Sequence, residues 1–328
     1  MLGETIGIDF GSAMTRIYLK GQGIVLAEPT IAAIDDEGKI ICAGDEAAEM
    51  TGRTPKNIYA VRPIKNGVVS DFRIAEKILK YFIKKACGSR LFKPSAVISV
   101  PGEISQVSEK AIIDVARCAG VKNASLADAP LASAMGAGAD IILPRGNFIL
   151  DIGAEVTNAA VLSMGGIVLN SMSKTAGASF DRAICDYVKR EKKIIIGERA
   201  ACEIKMNIGT LEDEEKSCFS RGRCLLSGLP KHFEITSGEI KPYLKEVAEE
   251  IIKDVIKLLE KTPPQLISDI SEEHIILSGG SAGLAGFAKE VEIATQIKCI
   301  IADDSENCTV KGLGRLIDEE DTIYNKAL

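Results

Sequence analysis

The sequence predicts an α/β protein built from two duplicated lobes around a cleft. Three observations lead there. Asp9, Gly11 and Thr15 recur 142 positions on as Asp151, Gly153 and Thr157. The tetrapeptide Gly-Ile-Val-Leu stands at Gly23–Leu26 and again at Gly166–Leu169, one residue out of step. Each half opens as three short strands and continues with segments of helical period and a further strand, the alternation of an α/β fold.

Composition agrees. The chain has 328 residues, 46% hydrophobic and 26% charged, enough for two domains. A net charge of −6 provides no basic field for nucleic acid. The absence of tryptophan and 5% aromatic content argue against a stacking platform for single strands. Nine cysteines without a CxxC spacing, and only two histidines, His232 and His274, read as reduced thiols used as small hydrophobes, with no metal cluster or thiol nucleophile. We expect no signal peptide, no membrane span and no N-terminal amphipathic anchor.

In order along the chain, "TIGIDF" reads as a strand, "GSAMT" as a turn, and "RIYLK" and "GIVLAEP" as the next two strands of a meander. "TIAAIDDEGKIICAG" reads as a hairpin turning at Asp36–Gly38. "DFRIAEKILKYFIKKAC" has helical spacing, with basic residues late to suit the helix dipole. "SAVISVP" is a buried strand. "SQVSEKAIIDVARCAG" is a helix with a serine cap and a glycine stop. "APLASAMGAGA" is a helix of small residues that must pack closely against something. "NFILDIG", "TNAAVLSM" and "GIVLNS" repeat the meander. Helices follow around "ASFDRAICDYVKREKK" and "GERAACEIKMNIG". "LEDEEKSCFSRGR" reads as a charged loop or hairpin edge. A long amphipathic helix ends before Pro263–Pro264. "HIILSGGSAGLAGFAKEVE" reads as a strand and a glycine turn that opens a helix, "KCIIADD" as a last strand, and "TVKGLGRLID" as a closing helix.

Two strand–turn–strand units facing one another make a cleft. Each turn offers backbone amides to a phosphate chain, and Asp9 and Asp151 would hold Mg²⁺ through water. The glycine turn "SGGSAGL" allows close approach of a nucleotide. Two Asp turns plus a late glycine turn, in this order, are the signature of the actin/Hsp70/sugar-kinase superfamily. The stretches "IGIDFGSAMTRIYLKGQGIVLAEPT", "MTGRTPKNIYAVRPIKNGVVSDF", "IGERAACEIK", "GLPK", "EITSGEI" and "LEKTPPQLISDI" resemble, more narrowly, the MreB family of bacterial actin-like rod-shape proteins.

That resemblance implies an actin-like fold of ribonuclease H-like duplicated domains, two lobes with four subdomains around a nucleotide cleft. Residues 1–142 would form the first lobe, with a smaller subdomain near 30–70, and 143–308 the second, with a smaller subdomain near 182–240. The helix in 309–328 would return to the first lobe. The resemblance implies ATP with Mg²⁺ as cofactors. Nucleotide contacts would come from Gly11, Ser12, Ala13, Met14, Thr15, Gly153, Ala154, Glu155, Lys205, Gly279, Gly280 and Ser281, and metal contacts from Asp9 and Asp151. It implies filaments at the inner face of the cytoplasmic membrane, organising cell-wall synthesis with partners of the MreC, MreD and RodZ type.

The sequence departs from the family's pattern within this cleft. Met14 replaces an asparagine of the first phosphate turn. Ala154 and Glu155 replace two glycines of the second. A unit like-charge pair at ~4 Å and an effective dielectric of ~20 costs roughly 4 kcal/mol, close to a thousandfold in affinity at about 1.4 kcal/mol per factor of ten. Ala129 holds the family's general-base position, and alanine cannot orient water or take a proton. Asp128, beside it, points about 100° away on a helix. Cys202 replaces a glutamate on the nucleoside-contacting helix, and Ser281 the last glycine of the late turn. The expectation is weakened ATP binding and impaired hydrolysis.

Leu91 and Phe92, ringed by Lys84, Lys85, Arg90 and Lys93, would suit an anionic membrane surface. Three functions compete: a filament protein, alone or with an intact paralogue; a nucleotide-independent scaffold of the same fold; and a small-molecule kinase, for which no substrate-binding insertion is evident.

Overall fold

The computed structural model describes residues 4–88 and 93–318. β1 (Thr5–Phe10), β2 (Met14–Leu19) and β3 (Gly23–Pro29) form the first meander. A small sheet follows from β4 (Ala32–Asp35), β5 (Ile40–Ala43) and β6 (Ile58–Val61), with α1 (Asp45–Met50) beside it. The short hairpin β7 (Ile64–Lys65) and β8 (Val68–Val69) leads into α2 (Phe72–Cys87), whose cap Asp71 accepts the Ile74 amide at 3.0 Å. β9 (Ser95–Val100), α3 (Gln106–Ala119), β10 (Ala124–Asp128) and α4 (Ala129–Gly136) complete the first half. Ser105 caps α3, and Gly120 stops it at φ 110, a left-handed angle that suits glycine.

The second half repeats the plan. β11 (Asn147–Ile152), β12 (Thr157–Ser163) and β13 (Gly166–Ser173) form its meander, followed by α5 (Gly177–Tyr187), which runs on into a π-turn at Val188–Lys192. A small sheet is built from β14 (Ile194–Ile195), β15 (Ser217–Cys224) and β16 (Pro230–Thr236), with α6 (Glu198–Ile208) packed against it. α7 (Ser237–Lys261) starts with a reciprocal capping box between Thr236 and Glu239. α8 (Pro264–Glu273), β17 (Ile275–Ser278), α9 (Phe287–Thr295), β18 (Cys299–Ile301) and α10 (Cys308–Asp318) follow.

The two main sheets have the same order, β3-β2-β1-β9-β10 and β13-β12-β11-β17-β18. Their registers also match: Asp9 pairs with Arg16 and Asp151 with Asn158. The duplication is therefore carried to the single residue. Each sheet has its own apolar core, around Phe82 and Ile78 in the first lobe and Phe148, Phe180 and Phe287 in the second. Burying each such side chain contributes roughly 2 kcal/mol.

α10 returns to the first sheet. Tyr18 donates to Asp318 at 2.7 Å, and Lys20 to the Ile317 carbonyl at 2.8 Å. It also supplies the partner that the small-residue helix requires. A Cβ on Gly312 would stand 1.7 Å from the Ala132 carbonyl oxygen, and one on Gly136 1.8 Å from that of Cys308. Of the two readings of "LEDEEKSCFSRGR", the hairpin holds: it supplies most of β15, paired along its length with β16, although β15 is the central strand of its sheet. A separate helix, α8, follows the long helix at the Pro263–Pro264 break.

Candidate functional site

A cleft of about 1250 Å³ lies between the lobes. Its walls come from the two Asp turns, from α6 and from the turn after β17. The Asp turns close alike: the Gly11 amide donates to the Met14 carbonyl at 3.1 Å, and the Gly153 amide to that of Val156 at 2.9 Å. The third turn is clamped onto the second. Ser281 donates through its Oγ to the Gly153 carbonyl at 3.0 Å and through its amide to that of Ile152 at 3.0 Å. Gly279 has φ 87, and a Cβ there would lie 2.4 Å from the Ile152 carbonyl oxygen. Only glycine fits.

Asp9 and Asp151 form the floor. Ser99 donates to Asp9 at 2.8 Å, and Ser278 to Asp151 at 3.3 Å, with Ser133 bonded to Ser278 at 2.7 Å. Burial raises the Asp9 carboxyl above its usual range, against the Ser99 hydrogen bond and the charge of Arg16. Burial pushes Asp151 up to about 7, and the charge of Asp9 adds to it. Two buried like charges favour a cation between them. Among the described residues no cluster of three or more His, Cys, Asp or Glu is arranged to hold a metal. Mg²⁺ needs no such cage, since it keeps waters and takes one or two carboxylates plus substrate phosphates. Asp9 and Asp151 fit that demand.

A testable stability effect follows. The folded Asp151 carboxyl titrates higher than the unfolded one, so its contribution to stability is complete below pH ~4 and lost as pH rises toward 7. At about 1.4 kcal/mol per pH unit the loss approaches 4 kcal/mol, shared with Asp9. Metal-free Asp151→Asn should therefore melt higher than the parent at pH 8, and Mg²⁺ should close the gap by stabilising the parent. Equal melting temperatures at pH 8 without metal would contradict this reading of the floor.

The wall formed by α5 and α6 is acidic and paired. Lys205 sits 2.8 Å from Asp181 and donates to the Gly177 carbonyl at 3.0 Å. Burial raises Asp181, and Lys205 opposes the rise. Burial and the charge of Asp181 raise the Cys202 thiol, against the charges of Lys205 and Arg62. Ala129 lines the cleft at the start of α4. Asp128 is not among the described lining residues; its carboxyl is raised by burial and by Glu109.

Of the residues expected at the site, Gly11, Ser12, Ala13, Met14, Gly153, Ala154, Glu155, Lys205, Gly279, Gly280 and Ser281 line the cleft. Thr15 does not. It is buried and its hydroxyl bonds to Thr30 at 2.8 Å, because alternation on β2 turns Met14 and Arg16 to the cleft and Thr15 away. The glycine turn does not itself open a helix, for α9 begins only at Phe287. Leu91 and Phe92 lie outside the described residues. Of the basic residues around them, Lys85 is ion-paired with Glu28.

Four contributors are absent from the sequence expectation. Ser99 and Ser278 hold the floor carboxylates, Asp181 holds Lys205, and Arg16 faces Asp9 across the register. Arg16 Nη2 pairs with Glu306 at 3.1 Å, while its buried Nε has no hydrogen-bond partner. The matched registers of the duplicated meander were a signal for Arg16; the other three come from distant elements.

A family model described as MreB/Mbl protein matches residues 3–325. A curated relative, the cell shape-determining protein Mbl of Bacillus cereus, is 42% identical, with both chains fully covered. The cell shape-determining protein MreB of Escherichia coli is 39% identical over 97% of this chain and 94% of its own. Among solved structures, MreB 5 of Spiroplasma citri bound to AMPPNP superposes with a TM-score of 0.94 at 32% identity, with full coverage of both chains. The same protein bound to ADP gives 0.92 at 32% identity over 98% of each chain. A MamK double helical filament gives 0.82 at 20% identity, covering 96% of this chain and 99% of that one, a likeness of fold. The duplicated sheets and interlobe cleft define an actin-like protein. The chain belongs to the MreB/Mbl family.

Proposed function

We propose that this chain is a cytoskeletal protein that assembles into actin-like filaments at the inner face of the cytoplasmic membrane. There it organises cell-wall synthesis and shape with MreC-, MreD- or RodZ-type partners. It binds ATP with Mg²⁺ more weakly than its relatives and hydrolyses it slowly. The observation that carries this reading is a cleft in which both Asp turns and the Gly279–Ser281 turn persist, while Ala129 lines the wall where a base is needed. Asp9 and Asp151 would hold Mg²⁺, which supplies charge neutralisation for the phosphates. The chain's own residues hold the phosphates by backbone amides and fix the carboxylates through Ser99 and Ser278.

Self-association is supported by the β15–β16 hairpin, which exposes Phe219, Leu226 and Leu229 at 78%, 86% and 65%. Leu226 and Leu229 lie together in its turn, and apolar side chains exposed there suit a protein partner. Among the described residues no helix is long and apolar enough to cross a membrane. Membrane contact therefore rests on the segment around Leu91 and Phe92. A nucleotide-independent scaffold, or a co-polymer with an intact paralogue, is the second reading. It is favoured by the hydrogen bond that Glu155 accepts from the Asn66 amide across the cleft.

Sedimentation with and without ATP, and with anionic liposomes, tests the proposal. Pelleting should rise with both additions, and Leu91→Ser/Phe92→Ser should abolish the liposome fraction alone. Pelleting that ignores ATP would favour the scaffold. No pelleting in any condition would overturn the filament reading for the isolated chain.

A further inference from the structure

Glu155 belongs to the second Asp turn, yet its carboxylate reaches the other lobe. Its Oε2 accepts a hydrogen bond of 2.6 Å from the backbone amide of Asn66. Asn66 and Gly67 form the tip of the β7–β8 hairpin, with φ 49 and 73, the left-handed pair that a two-residue hairpin turn requires. The next amide, that of Gly67, faces Ser12 Oγ in the first Asp turn at 3.4 Å. The tip is seated tightly, since a Cβ on Gly67 would stand 2.4 Å from the Pro101 ring. One hairpin tip therefore touches both Asp turns, and the Glu155 contact spans the gap between them.

That gap is where a phosphate chain lying between the turns would pass. Adjacent backbone amides suit an anion, and in this structure the anion is the chain's own. Of the five basic residues among the described lining, four are ion-paired with carboxylates, and Arg62 alone bonds only to carbonyls. Arg16 pairs with Glu306, Lys205 with Asp181, Arg199 with Glu203 and Lys216 with Glu214, while Arg62 donates to the carbonyls of Ser12 and Ala13.

We infer that Glu155 is an internal stand-in for the terminal phosphate of a nucleotide. It bridges the lobes when the cleft is empty of nucleotide and makes the cleft prefer a nucleoside diphosphate to a triphosphate. The preference rests on the nucleotide reading above; the bridge does not. A diphosphate leaves the Asn66–Glu155 contact in place. A triphosphate adds charge against the carboxylate or must displace it.

Two measurements separate the parts. Hydrogen exchange at the Asn66 amide in nucleotide-free protein should quicken by about tenfold or more in Glu155→Gly, as expected when an interlobe hydrogen bond is lost. Unchanged exchange overturns the bridge, whatever binds. Titration with ADP and AMPPNP in Mg²⁺ should show the parent favouring ADP by about tenfold or more, and Glu155→Gln, which keeps an acceptor but loses the charge, narrowing this to within about threefold. Equal affinities in the parent overturn the phosphate stand-in. If neither nucleotide binds any variant while Asn66 exchange still depends on Glu155, the nucleotide reading and the preference both fall. Circular dichroism melts of both variants check that the fold is retained.

Discussion

Ala129→Glu is expected to raise phosphate release at saturating ATP and Mg²⁺ by about 10²-fold or more, within the 10²–10⁴-fold range typical of a positioned general base. Ala129 is 8% exposed and lines the cleft. It begins α4 directly after β10, and Pro130 sets the helix entry. The first turn of a helix is a favourable place for a carboxylate, because the dipole presents positive charge there. The buried carboxylates Asp9 and Asp151 line the same cleft. Ala129→Gln has the same shape without a base and should leave turnover at the parent level. A flat response to Ala129→Glu at saturation would mean that position 129 does not face the attacking water.

Gly312→Ala is expected to lower stability by about 3 kcal/mol, the upper part of the usual range for overpacking. Helix propensity alone predicts the opposite sign, since alanine exceeds glycine by about 1 kcal/mol in a helix interior. Packing decides. The new Cβ would stand 1.7 Å from the Ala132 carbonyl oxygen, and that oxygen belongs to a helix backbone that cannot rotate away. α4 and α10 would have to separate, and the Ser133–Ser278 link beside Asp151 would be pulled with them. At about 2.1 cal/mol/K of unfolding entropy per residue, the 328-residue chain shifts by about 1.5 °C per kcal/mol, so the melting temperature should fall by about 4 °C. Gly166→Ala is the control, because nothing lies within 4 Å of its Cβ position. A Gly312→Ala protein that melts with the parent would contradict the close helix crossing.

Much of the fold is legible because its causes are local. The meander of β1–β3 shows in alternating burial and short turns, and its copy at β11–β13 shows by repetition. Caps at Asp71, Ser105 and Thr236 mark helix starts by residues adjacent to them. The small-residue composition of α4 implies close packing but cannot name α10, which is far away in sequence. The cleft divides in the same way. Asp9, Asp151 and their glycine turns can be read directly. Repetition marks that Thr15 recurs, while strand alternation decides that it points away from the cleft. Ser99 and Asp181 have no pattern around them, and Ser278 opens the legible glycine turn but meets Asp151 only through the pairing of β17 with β11.

The sequence by itself determined the duplicated α/β plan and the two acidic turns, because each depends on residues close together or on an internal copy. Tertiary structure alone decided the partners across the cleft. Glu155 in sequence is a charge misplaced in a phosphate turn. In the folded chain it meets the amide of Asn66 from the other lobe, a contact set by how two independently built lobes come together.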